Sequence, residues 1–306
     1  MVELPRVQMA HIGGSGTWGF RYPDGALDAH PHLSVAVVEP EIRLDTPFGP
    51  SPAFRLCRLT DRRSGSTRDF LYVWMHGFDP ANPLPPDASS AVASERVFHA
   101  LAQAGVRQVF ADNSTGSIAD GLRAWDLVGI DQVVDLSGVI PRPVPRGLIR
   151  FREGLCSRIQ AGLAASADAN LDTLGAVSQQ AERPRLLRSA TYVHSPGPWF
   201  ESPIEDQTYR RLGYHVVGKT GGPEYRLARL YQMCFGMLSI VVNPAEGLGS
   251  FEHGDLQAIY RRCGPIMGRI MLEAIAASDG DECGCARLST GTSFAEFSKH
   301  ASYTSG

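Results

Sequence analysis

Apolar residues in this chain come in short blocks, most of them closed by glycine, proline or a polar cluster, and the spacing inside each block predicts its element. Val7–Ile12 is a short apolar strand that runs into Gly13-Gly14-Ser15-Gly16. His32–Val38 and Phe54–Leu59 have strand-like composition, with the turn Thr46-Pro47-Phe48-Gly49-Pro50 between them. Asp69–Met75 is β-rich and stops at His76-Gly77. Val106–Ala111 reads as a buried strand that ends in the polar cluster Asp112–Ser117. Further strands are predicted at Leu127–Val134, within Pro184–Val193, at Tyr214–Val217 and at Met237–Val242. Helical spacing marks Ser89–Gly105, where Val92, Val97, Leu101 and Ala104 line up, and also Gly147–Ala165, Ser202–Arg211 and Gly222–Met233. Leu256–Ala277 carries Ile259, Cys263, Ile266, Ile270 and Ala274 on one face, with a kink expected at Gly264-Pro265.

Strands that alternate with helices, with glycine or polar clusters at the strand ends, predict one α/β domain around a central sheet. No repeat or linker interrupts it, so the domain is placed at residues 1–278. The Gly-, Asp-, Ser- and Thr-rich residues 279–306 read as a C-terminal tail. The length of 306 residues and a hydrophobic content of 43% suffice for a full core, which excludes global disorder. Lys+Arg 29 against Asp+Glu 32 leaves a net charge of −3, without the basic footprint that a nucleic-acid partner requires. No apolar run approaches the roughly 18 residues of a membrane helix, and Met1–Gly14 has no signal-peptide pattern. The expectation is a soluble, cytoplasmic protein without a membrane partner.

The glycine loop after the first strand can present backbone N–H groups to an anion, with the Ser15 hydroxyl beside them. A plain tight turn is equally compatible with it. Gly14, Gly16 and Gly19 match the dinucleotide fingerprint as a string, and Glu39 follows. The helix that must lie beneath a pyrophosphate is missing, because Phe20–Gly25 and Pro31 occupy its place. Cys283-Gly284-Cys285 has no second Cys or His pair near it in sequence. Structural zinc wants four ligands, so free thiols and no metal are expected. There is no Gly-x-Ser-x-Gly elbow for a serine hydrolase.

The order of several segments adds what no single one carries. Ile12–Gly16, Asp45–Gly49, His76-Gly77, Arg96–Leu101, Asn113–Ser117 and Ile130–Asp135 follow one another. After them come Gly197–Glu201, Gly218-Lys219-Thr220 with Pro223-Glu224, Val242–Gly247 and Cys283–Ala286. In this order they resemble the methylthioadenosine and purine nucleoside phosphorylase family, from residue 12 to residue 286. The resemblance implies a single α/β domain with a mixed, barrel-like central sheet flanked by helices. It further implies a pentosyltransferase active in purine salvage, assembled as a homotrimer or hexamer. Its substrates would be a purine nucleoside and phosphate, the latter a cosubstrate with no metal or organic cofactor.

Residue by residue, the resemblance places Asn243 at the base, where an amide can donate to N7 or O6, and Ala245 where adenine-preferring members carry an Asp. Glu201 matches the acceptor of the purine N1–H, and Phe200 the aromatic that packs on the base. A 6-oxopurine is therefore favoured over adenine. His253 loosely matches the histidine near the sugar 5′ group. Ser15, Ser114 and Thr220 match the phosphate positions, and His76 the histidine of an Arg-His pair.

Met75 stands where the arginine of that pair would be, and Lys219 replaces a methionine under the ribose. A phosphate dianion normally receives a charge-assisted pairing of the kind that is missing here. Lys219 could supply the displaced charge or recognise an acidic substrate group, and a solvated lysine at a strand end is the plain alternative. If phosphate binding is lost, the chain would be a nucleoside hydrolase with His76 or Asp112 as base, or a non-catalytic purine-binding relative.

Overall fold

The computed structural model describes residues 5–85, 91–143, 148–279 and 283–290. Eleven strands and five α-helices are found among them: β1 (Met9–Ile12), β2 (Leu33–Ile42), β3 (Phe54–Asp61), β4 (Thr67–Val73), α1 (Ala91–Gln103), β5 (Gln108–Ser117) and β6 (Leu127–Asp135), followed by β7 (Leu148–Ile149), α2 (Ser157–Ser178), β8 (Leu186–His194), α3 (Pro203–Arg211), β9 (Val216–Gly218), α4 (Gly221–Leu230), β10 (Cys234–Pro244), α5 (His253–Ala277) and β11 (Ser289–Thr290).

Five strands close on themselves in the order β5-β10-β6-β8-β9, and β9 returns antiparallel to β5. The ring mixes parallel and antiparallel pairs, so the expected barrel-like mixed sheet is what the chain forms. From β5 the sheet continues outward through β1, β4, β3 and β2.

Strand β5 therefore belongs to both parts. Along one edge it pairs with β10 over its whole length. Along the other, β1 covers residues 108–111 and β9 covers only 116 and 117. Where β1 and β9 diverge, Asp112–Thr115 lack a partner strand on that edge, and the candidate site opens beside them.

Side-chain alternation sorts the core into two layers. Val109 and Ala111 join Val97, Phe98, Leu101, Leu227 and Met237 under α1 and α4. Phe110 faces the other way, among Ile159, Leu163, Leu238, Ile240, Met267 and Ile270 under α2 and α5.

Several elements run beyond what the pattern predicts. The polar stretch Asp112–Ser117 is strand, because β10 pairs with it along its whole length. The helix expected at Gly147–Ala165 instead spans Ser157–Ser178. Gly154 holds a left-handed φ of +66 ahead of it, and Leu163, Ala167 and Leu174 carry its buried face onward. Helix α5 continues through Pro265 because its apolar face extends on both sides. No helix among the described residues is long and apolar enough to cross a membrane.

Candidate active site

The glycine loop follows β1 directly, and two backbone hydrogen bonds set its course. Gly13 N–H donates to the Val73 carbonyl, and His76 N–H to the Gly13 carbonyl, both at 2.9 Å. The crossing is tight. A Cβ on Gly14 would sit 2.3 Å from His76 Nε2 and 2.2 Å from the Asp112 carbonyl, so only glycine fits there. Opposite the loop, Met75 and His76 hold left-handed φ values of +44 and +55. Two adjacent non-glycine residues in that region are uncommon and costly, and such strain is held where surrounding contacts over-determine it. The effect is to turn the His76 imidazole into the protein.

That imidazole is paired. His76 Nδ1 lies 2.7 Å from Glu224 Oε1 in the first turn of α4, with side-chain exposures of 5% and 1%. Nε2 faces Thr220 Oγ1 at 3.4 Å. Burial by itself would lower the His76 pKa. The Glu224 charge, the hydrogen bond to it and the Asp112 charge outweigh burial and hold the imidazole above its ordinary value. The pairing thus favours the protonated form of a buried imidazole.

Hydroxyl groups gather beside it. Ser15 Oγ and Ser114 Oγ are 2.7 Å apart, and Ser114 Oγ is 3.1 Å from Tyr260 Oη. Asp112 lies underneath and fully buried, bonded to His11 Nε2 at 2.8 Å and to Thr17 Oγ1 at 2.9 Å. The expectation of Asp112 as a base is corrected: it is not among the residues that line the cleft.

Lys219 turns toward the base-side residues. Its ammonium bonds the buried Glu201 carboxylate, lies 3.4 Å from Ser195 Oγ and sits 5.0 Å from the centre of the Phe200 ring. It is neither a solvated lysine nor bonded to the phosphate-side hydroxyls. Asn243 follows a register shift between β10 and β5, the kind of bulge that re-aims a side chain. Its amide donates to the Pro244 carbonyl.

Most of the groups named in the sequence meet in one cleft of about 300 Å³. Ser15, His76, Ser114 and Thr220 come together with Phe200, Glu201, Lys219 and Asn243 in its wall. His253 opens α5, but its side chain lies outside the described residues. Pattern reading missed Glu224 and Tyr260 as site residues. Glu224 carried a weak signal, four residues after Thr220 on a helix and so on the same face. Tyr260 carried none, since only tertiary folding brings it to Ser114 across 146 residues.

A closed mixed barrel with an anion-suited cleft at its strand ends defines an α/β enzyme scaffold. The profile of the Phosphorylase superfamily matches residues 34–276, and the chain belongs to that superfamily. It is 27% identical to a 6-oxopurine nucleoside phosphorylase of Pyrococcus furiosus over 296 residues, covering 92% of this chain and 97% of the relative. It is 28% identical to a purine nucleoside phosphorylase of Streptomyces coelicolor over 295 residues, covering 93% and 95%. Among solved structures, a methylthioadenosine phosphorylase from an antarctic soil metagenomic library superposes with a TM-score of 0.67 at 21% identity, covering 94% of this chain and 92% of that one.

Proposed function

We propose that this protein is a pentosyltransferase that cleaves purine nucleosides with phosphate, favouring 6-oxopurines. One observation carries the reading: the cleft holds a buried imidazole, His76, bonded to the Glu224 carboxylate and beside the hydroxyls of Ser15, Ser114 and Thr220. A site that lacks the arginine would thereby keep a group able to carry positive charge toward phosphate, and a water nucleophile would need none.

In the proposed reaction a phosphate oxygen attacks the anomeric carbon while the bond from that carbon to the purine nitrogen breaks. The electron pair leaves with the base. Asn243 would stabilise the charge that develops at N7, an interaction made mainly in the transition state. Glu201 and Lys219 form an acceptor beside a donor. That pair complements the N1–H and O6 of hypoxanthine or guanine, whereas a 6-amino group would turn a donor toward the ammonium. Phe200 would pack on the base. His253 is proposed for the 5′ end of the sugar on the resemblance alone. No metal or organic cofactor enters the chemistry.

We further propose a cytoplasmic enzyme of purine salvage, working as a homotrimer or hexamer. Phe200 in the cleft wall, and Trp199 and Ile204 near it in sequence, expose apolar surface of the kind a subunit contact would use.

The test is base release from inosine, guanosine, adenosine and methylthio-nucleosides, with and without phosphate. Phosphate-dependent release that forms the sugar 1-phosphate supports the proposal. Equal release without phosphate would mean hydrolysis. Purine binding without turnover would mean a binding protein. Light scattering in solution reads the subunit number.

A further inference from the structure

Far from this cleft, the Cys283-Gly284-Cys285 thiols, expected to be free in a tail, lie in a cluster. Cys283 and Cys285 do not stand alone: the sulfurs of Cys156, Cys234, Cys283 and Cys285 all lie within 4.8 Å of one another. The sequence gives no hint of this, because the second pair comes from two distant segments. Cys156 is the residue before α2 and Cys234 the first residue of β10.

The surroundings hold these sulfurs in place. Cys156 N–H donates to the Phe235 carbonyl and Cys234 N–H to the Arg107 carbonyl. Arg229, itself buried, donates to the carbonyls of Cys285 and Gly154 at 3.2 and 2.6 Å, tying the 283–290 segment to the loop before α2. Strand β11 pairs with β7 to fasten the other end of that segment.

We propose that these four cysteines form a structural site for one thiophilic divalent ion, zinc in the first place. Structural zinc is held by four thiolates in a tetrahedron with Zn–S bonds of about 2.3 Å, which puts neighbouring sulfurs about 3.8 Å apart. Cys283 Sγ is 3.7 Å from Cys156 Sγ and 2.9 Å from Cys234 Sγ. One sulfur thus approaches two others at once, as a vertex of a tetrahedron does. A disulfide would instead select one partner and draw it to about 2.05 Å.

The hydrogen bonds fit thiolate ligands. Cys285 N–H points at Cys283 Sγ at 3.4 Å, and Ile159 N–H donates to the Cys156 sulfur at the start of α2. Such outer contacts orient metal-bound sulfurs and temper their charge. A cleft lined by Cys156, Cys234, Arg158 and Asp279 reaches the cluster and gives an ion its entry path. Cys234 and Asn243 are at opposite ends of β10, roughly 30 Å apart at about 3.3 Å per residue, so the ion would take no part in the reaction. Its role would be to cross-link three chain segments, and with them the closing stretch of the domain.

The experiment uses the full chain, purified under reducing conditions without added metal. Elemental analysis is expected to find one zinc per chain. After chelation, one equivalent of cobalt(II) is expected to produce the intense visible bands of a tetrahedral thiolate centre. The double variant Cys283→Ser/Cys285→Ser is expected to lose the metal and melt several degrees lower, while nucleoside cleavage at low temperature continues. A wild-type protein that carries no metal and gives no thiolate–cobalt bands when reduced overturns the proposal, whatever the variant does. So does a thiol titration of the denatured, unreduced protein in which only Cys57 and Cys263 react, since two disulfides would then account for the cluster.

Discussion

His76 and Glu224 stand 148 residues apart in sequence and 2.7 Å apart in the fold, buried together, with His76 in the wall of the cleft. The carboxylate raises the imidazole pKa against the effect of burial, and the imidazole lies on the side of the cleft where the resemblance places phosphate.

From this pair follows a pH dependence. His76 has a folded pKa above the ordinary 6.5, so the cation is present below that raised value and is lost as pH rises through it. The efficiency of phosphate use, kcat/KM for phosphate, is expected to fall on the alkaline side. Glu224→Gln removes the main raising influence and leaves burial, so the fall should move toward acid, with a roughly tenfold higher KM for phosphate. The pairing also contributes stability that is full below pH about 6.5 and disappears as pH rises through the folded value. The Tm difference between wild type and variant should therefore shrink at alkaline pH. Superimposable pH profiles for the two proteins would remove Glu224 from this role.

Lys219 is bound to Glu201, and its substitution should act on the base. Lys219→Met is expected to lower the preference for inosine over adenosine by roughly tenfold, the scale of about 1.4 kcal/mol for one charged donor. KM for phosphate should stay close to the wild-type value. A large rise in that KM with base preference intact would reassign the lysine to the anion.

Asn243→Ala should reduce kcat by roughly a hundredfold, the scale of one lost transition-state hydrogen bond. Nucleoside KM should change much less, because the interaction is made chiefly as charge develops on the base. Steady-state kinetics with inosine reads both, and unchanged turnover would take Asn243 out of the mechanism.

Gly14→Ala places a methyl group against the Asp112 carbonyl and the His76 ring, at 2.2 and 2.3 Å. The ring can turn, but the backbone carbonyl cannot. The variant is expected to lose about 1–3 kcal/mol of stability, as overpacked sites do, and most of its phosphate-dependent activity. Urea unfolding and the nucleoside assay measure the two effects. A variant as stable and active as wild type would show that the loop can shift to make room.

Much of the scaffold could be read from the chain. Periodic apolar positions located nearly every strand and helix of the core, because a buried face repeats every two residues in a strand and every three to four in a helix whatever the topology. The ordered short motifs were enough to name a family, and they singled out Ser15, Ser114, Phe200, Glu201 and Asn243 because loops at strand ends keep their chemistry within a few consecutive residues. Departures from the motif were also visible, including Met75 in place of an arginine.

What the chain did not disclose was every relationship that depends on closure of the barrel. Pairing of β10 with β5 carries the strand on through the polar cluster Asp112–Ser117, where the pattern had it end. Packing of α4 against the loop after β4 delivers Glu224 to His76, and α5 delivers Tyr260 to Ser114. Lys219 finds Glu201 rather than an anion, and Cys156 and Cys234 find Cys283 and Cys285. Local pattern reports which face of an element is buried, but it holds no record of which distant segment will cover it. That choice is made by the summed packing of the whole core.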